Sequence, residues 1–160
     1  MSKEIDGIKR EWWFDGSTAV IGKYNSRNCC GVDASHYTAE GLIRAIKAIS
    51  AQEKPNAIIF EEVRLGGLYS FKTRLRKEIE NIGGEYMLVT LIASFETMAK
   101  RVVKRTGNEN VNFDAMRSKG ASAIRSSRKA QEDGVRVVWI DTDQYNPDQA
   151  YYILRRTIDG

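Results

Sequence analysis

The chain of 160 residues has two prolines, two cysteines and a single histidine. So few prolines, beside 42% hydrophobic and 29% charged residues, exclude a fibrous or disordered chain and indicate ordinary globular composition. The cysteines are neighbours, Cys29 and Cys30. Adjacent cysteines close only a strained ring, so two free thiols in a reducing compartment are expected. With His36 alone, a histidine–cysteine zinc site lacks its fourth ligand unless a carboxylate joins it. No apolar run approaches the roughly 20 residues that span a bilayer. The first residues, Met1-Ser2-Lys3-Glu4-Ile5-Asp6, lack the apolar stretch of a signal peptide. The expectation is one soluble, cytoplasmic domain over 1–160 without a membrane partner.

What the chain does have is alternation. Four runs have the length and composition of buried strands: residues 18–24, 56–61, 86–93 and 135–141. The last three are almost continuously apolar, as strands covered by helices on both faces are. Glu11-Trp12-Trp13-Phe14 precedes the first run, and Asp15-Gly16 between them is a two-residue hairpin signal. An antiparallel edge ribbon is therefore expected at the N-terminus.

Helical stripes separate the strands. Thr38 is placed to cap a helix with Leu42, Ile43, Ile46 and Ile49 on one face. Leu68, Phe71, Leu75, Ile79 and Ile82 form the next stripe, ended by Gly83-Gly84. Ser94 caps a third helix carrying Met98, Val102 and Val103, which stops near Gly107. Asn146-Pro147 starts a last helix with Tyr151 and Leu154 inward. Strand–helix alternation of this kind predicts a three-layer α/β domain.

The formal charge of +4 is unevenly spread. Residues 101–130 hold eight basic side chains against Glu109 and Asp114, a local +6 that leaves −2 for the remainder. Five of the eight lie in a polar segment from about 106 to 133, helix-like from Phe113, which reads as a lid-like insertion. A concentrated positive field suits an anionic ligand, and arginine suits phosphate through paired hydrogen bonds. Asn108, Asn110, Asn112, Ser126 and Ser127 lie among the cations, so a nucleic-acid backbone is an alternative ligand.

Several segments together resemble the nucleoside and nucleotide kinases of the P-loop class. Ile58-Ile59-Phe60 with Glu61-Glu62 resembles their acidic strand end. Val89-Thr90-Leu91 followed by Arg101-Val102-Val103-Lys104-Arg105 resembles the strand and arginine-bearing helix that introduce their lid. Val137 through Thr142 is similar to their final strand, and Val20-Ile21-Gly22-Lys23-Tyr24 with Gly31-Val32-Asp33 to the acceptor-side strand of phage-type members. The likeness runs over about 18–158. It implies a three-layer, mainly parallel sheet of four to five strands with an N-terminal hairpin strand. It also implies Mg2+ and ATP or another nucleotide as cofactors.

One element of that family is missing: no G-x-x-x-x-G-K-[S/T] occurs, so the chain lacks the P-loop and its strand. Three explanations stay open. The P-loop half belongs to another polypeptide; or this is a degenerate relative whose sheet closed the gap or borrowed a strand; or the likeness is general α/β pattern. A partner chain or self-association covering the gap belongs to the first two.

By resemblance, Glu61 or Glu62 would hold a magnesium-bound water or act as a base, and Asp33 would orient or deprotonate an acceptor hydroxyl. Arg101, Arg105, Arg117, Lys119, Arg125 and Arg128 would neutralise phosphate, and Arg64 would reach an acceptor phosphate or pair with a glutamate. Trp12, Trp13 and Trp139 read as packing residues, with one of the adjacent pair on an outer face.

Overall fold

The computed structural model describes residues 2–5, 8–22, 38–61, 68–107 and 111–159. Asp33, His36, Cys29, Cys30, Glu62, Arg64, Asn108 and Asn110 lie outside them. The chain divides into two compact units, Met1–Gly66 with Ser70–Glu85, and Gly67–Tyr69 with Tyr86–Gly160. The class is mixed α/β.

The first unit carries strands β1 (Ser2–Ile5), β2 (Ile8–Phe14), β3 (Thr18–Ile21) and β4 (Ala57–Phe60), in sheet order β1-β2-β3-β4. β1–β2 and β2–β3 are antiparallel, and β3–β4 is parallel. The N-terminal ribbon is present, but its connection to β3 has three residues, where Asp15-Gly16 signals two. Asp15 Oδ1 accepts from the backbone N–H of both Ser17 and Thr18, at 2.8 and 2.7 Å, and this side-chain-closed turn needs the extra residue. Gly16, at φ 95°, supplies the conformation that other residues avoid.

Helix α1 (Ala39–Glu53) starts where Thr38 Oγ1 accepts from the Gly41 N–H at 3.0 Å. It buries the expected Leu42, Ile43, Ile46 and Ile49, and these join Ala19 and Ile21 of β3 among the core residues. Helix α2 (Tyr69–Glu80) adds Phe71 and Leu75. Its stripe is shorter than the periodicity suggests: Leu68 precedes the helix, Ile82 follows it, and both are exposed. Gly83 at φ 79° ends the chain's helical path, with its N–H donated to the Glu80 carbonyl.

The second unit is a parallel pair, β5 (Met87–Ile92) and β6 (Arg136–Asp141), registered from Met87 opposite Arg136 to Ile92 opposite Asp141. Between them run α3 (Phe95–Thr106) and α4 (Phe113–Glu132), and after them α5 (Pro147–Asp159). Ser94 Oγ accepts from the Thr97 N–H, and Gly107, at φ 67°, donates its N–H to the Val103 carbonyl. Asn146 and Gln149 cap each other reciprocally at the start of α5, the capping-box geometry.

Alternation along the pair assigns Leu88, Thr90, Val137 and Trp139 to one face. There α4 packs: Thr90 Oγ1 donates to Ser127 Oγ at 3.0 Å, and the Trp139 indole N–H donates to Gln131 Oε1 at 3.1 Å. Ser126, Ser127 and Ala130 are the residues α4 buries, small enough to let the helix approach closely. Arg136 belongs to the opposite face and donates to the Thr157 carbonyl of α5. Tyr151 of α5, expected inward, is 63% exposed; Ile153, Leu154 and Ile158 are the half-buried apolar side chains of the helix.

Leu91 and Ile140 are register partners on one face, yet Leu91 is 64% exposed and Ile140 only 1%. Ile140→Ala is therefore expected to cost about 2–5 kcal/mol through its cavity. Leu91→Ala is expected to cost less than about 1 kcal/mol. Urea unfolding of the two variants checks the contrast, and equal losses would refute the burial assigned to Ile140.

Candidate functional site

Because β5 and β6 are parallel, their carboxyl ends emerge on one edge, the position where open α/β sheets bind ligands. The two exits are tied together. Thr142 donates both its backbone N–H (2.8 Å) and its hydroxyl (3.0 Å) to the Ile92 carbonyl. Arg101 reaches back from α3 and donates to Thr142 Oγ1 and to its carbonyl, each at 2.7 Å. Asp143 Oδ2 accepts from the Ser94 N–H at 2.6 Å, which sets a carboxylate at the positive end of α3. The Asp143 N–H in turn donates to Asp141 Oδ1, and Gln144 Nε2 to Asp141 Oδ2, each at 2.9 Å.

Beside this edge is an open cleft of about 650 Å³. Ile92, Ala93 and Ile124 form its apolar part, and Trp139 lends an aromatic wall. Its polar lining is Ser94, Gln131, Asp141, Asp143 and Arg128. The Trp139 N–H is already donated to Gln131, so the ring itself is what this residue offers a ligand. The two aspartates hold the loop: their oxygens are engaged by Ser94, Asp143 and Gln144. The Ser94 N–H, with the Thr97 and Ser94 hydroxyls and then Arg101, holds the Asp143 carboxyl below its usual range.

The structure divides the cations expected to bind phosphate. Arg101 is spent on Thr142, and the Arg117 guanidinium lies over the Phe95 ring at 4.4 Å. The side chains of Lys104, Arg105, Lys119, Arg125 and Arg128 are exposed, and among the described residues none of these side chains has an ion pair or hydrogen bond. Elsewhere Arg74 pairs with Glu40, Lys47 with Glu78, Arg76 with Glu80 and Lys100 with Glu96, while the side chain of Lys77 in α2 is exposed and has no such pair among the described residues.

Glu61 directly follows β4 in the first unit and is exposed. Two polar residues expected along a nucleic-acid backbone have other duties, since Ser126 and Ser127 are buried on the packed side of α4. Asn112 caps α4, its Oδ1 accepting from the Ala115 N–H. Trp139, Gln131 and Asp143 were not legible as site residues. The signal available was Asp141-Thr142-Asp143 directly after an apolar strand, a polar cluster at a carboxyl end. Among the described residues no three histidine, cysteine or acidic side chains cluster as a metal cage would, and no helix is long and apolar enough to cross a membrane. Comparison with family models, curated proteins and solved structures finds no match to this chain.

A carboxyl held low in the folded state contributes stability that is complete above its ordinary value and lost as pH falls through the lowered one. For Asp143 that window lies below about pH 4. Melting temperatures of the wild type and Asp143→Asn, taken from neutral pH downward, are expected to differ at pH 7 and to converge below that point. A gap that persists unchanged in acid contradicts the role given to the Asp143 carboxylate.

Proposed function

We propose that this chain is a phosphate-binding α/β protein of the kinase-like type. The cations between Lys104 and Arg128 hold a phosphorylated ligand, and phosphoryl transfer occurs only when another chain or segment supplies a P-loop. One observation carries the reading: five exposed cations in this segment have no partner among the described residues, whereas the pairs of α1, α2 and the first turns of α3 do. A phosphate then binds without having to displace a carboxylate. Arg128 also lines the cleft at the strand ends. The reading carries with it the three-layer, mainly parallel sheet of four to five strands that the resemblance implies.

Of the implied cofactors, the phosphates of ATP or another nucleotide suit these cations. Magnesium in nucleotide sites rests on one or two carboxylates together with substrate phosphates. Asp141 Oδ1 and Oδ2 and Asp143 Oδ2 already accept hydrogen bonds, and Glu61 belongs to the first unit. The described residues therefore do not fit a magnesium site, and the metal has no part in the binding proposed. The alternative, a non-catalytic nucleic-acid-binding or structural subunit with a degenerate kinase fold, uses the same cations.

Calorimetric titration with ATP and with inorganic tripolyphosphate tests the binding. The expected result is affinity that weakens as salt rises and falls tenfold or more in Arg125→Ala/Arg128→Ala, since each hydrogen bond to a charged group contributes about 1.5–3 kcal/mol. Unchanged affinity in that variant, or no binding by the wild type at low salt, overturns the reading. A second expectation concerns chemistry: the pure chain transfers no γ-phosphate from ATP to any nucleoside or nucleotide. Turnover in a radiolabel assay, retained through repeated purification, would refute it.

A further inference from the structure

The cations of α4 are laid out along the helix and not gathered at one point. At about 100° and 1.5 Å per residue, Arg117, Arg125 and Arg128 fall within roughly 80° of arc. From the first to the last they cover about 17 Å of the axis. Ser126, Ser127 and Ala130, buried, occupy the other side of the same helix. The packing of α4 therefore turns this row outward. The phosphates of a single mononucleotide do not extend over such a row. A nucleic-acid strand carries a phosphate every ~3.4 Å or more and places several along it.

The cleft at the end of the row selects the other half of a nucleotide. Arg128 belongs to both the row and the cleft, but Asp141 and Asp143 also line the cleft and repel a phosphate there. An uncharged base, unlike a phosphate, is not repelled by those carboxylates and suits the apolar wall. Trp139, with its N–H already given to Gln131, offers its ring for stacking, which every base accepts. A duplex keeps its bases stacked inside and cannot deliver one to this ring without flipping it out.

We propose that the outward side of α4 is a track for single-stranded nucleic acid. Phosphates lie on Arg117, Arg125 and Arg128, and one unstacked base lies against Trp139 in the cleft. This rests on the reading of Arg125 and Arg128 as a phosphate surface, adds Arg117, whose guanidinium also lies over the Phe95 ring, and names the polymer as their ligand.

The test is fluorescence anisotropy of labelled oligothymidylates of increasing length against the full chain at stepped sodium chloride. Affinity is expected to rise with length until the strand covers the row. Its logarithm falls with log salt at a slope near −2, from ~0.7 per phosphate for three contacts. Arg125→Ala/Arg128→Ala, both exposed and hence compatible with folding, is expected to remove about two-thirds of that slope and to weaken binding at least tenfold. Trp139→Phe is expected to keep the slope and abolish the tryptophan quenching that the oligonucleotide causes; circular dichroism of each variant confirms the fold. If ATP binds but longer strands bind no tighter, the polymer inference fails and the phosphate reading stands. Should neither ATP nor oligonucleotide bind, both fail. Tighter binding of the matching duplex, or a slope unchanged in the double arginine variant, also overturns the proposal.

Discussion

The parallel pairing of β5 with β6 is the constraint on which the second unit depends. Two strands running the same way cannot be joined by a hairpin, so the chain between them must make a long crossover. α3 and α4 are that crossover, and together they carry more than the chain's whole positive surplus. To cover the strands, α4 must turn small residues toward them; Ser126, Ser127 and Ala130 do this, and Ser127 meets Thr90. The opposite side of a helix so anchored faces outward by geometry. The same pairing that brings both carboxyl ends to one edge thus carries the arginines of the crossover to the neighbourhood of that edge.

Charge then separates structural cations from available ones. Arg101 is a clamp: one guanidinium holds both the hydroxyl and the carbonyl of Thr142, while Thr142 itself is bonded to Ile92. Asp143 answers it from the other strand exit by capping α3 through the Ser94 N–H. These contacts close the strand ends into a defined loop and use up their charges. The exposed pairs of α1 and α2 contribute little to stability individually, since solvent screens them. Their meaning lies in contrast, because Arg125 and Arg128 share the same solvent and have no such partner among the described residues. Neither guanidinium has to give up a carboxylate to meet a ligand phosphate.

Much of the fold was legible because its signals are local. Thr38, Ser94 and Asn146 each accept the N–H that a capping side chain should, and Gly107 ends α3 in the left-handed conformation expected of glycine. The three apolar runs became β4, β5 and β6 with ends shifted by a residue or so. Periodicity misled where it ran past its helix. Leu68 and Ile82 continue the stripe of α2 by spacing, but neither lies within the helix, so neither shares its buried face. Tyr151 was misplaced for a related reason: an aromatic residue beside a second one, Tyr152, does not reveal which side of α5 faces its strands, and both are exposed.

The caps, the strand runs and the concentration of charge between residues 101 and 130 follow from the order of residues, since each depends on neighbours within a few positions. Tertiary structure alone decided which of those cations are engaged. Arg101 and Thr142 are 41 positions apart and meet because β5 and β6 are adjacent; Ser94 and Asp143, 49 apart, meet for the same reason. Spacing cannot report such partners, because they are created by the pairing of strands that a long crossover separates. The +6 segment therefore identified a region, and the packing of α4 on the parallel pair identified the side of it that a ligand can reach.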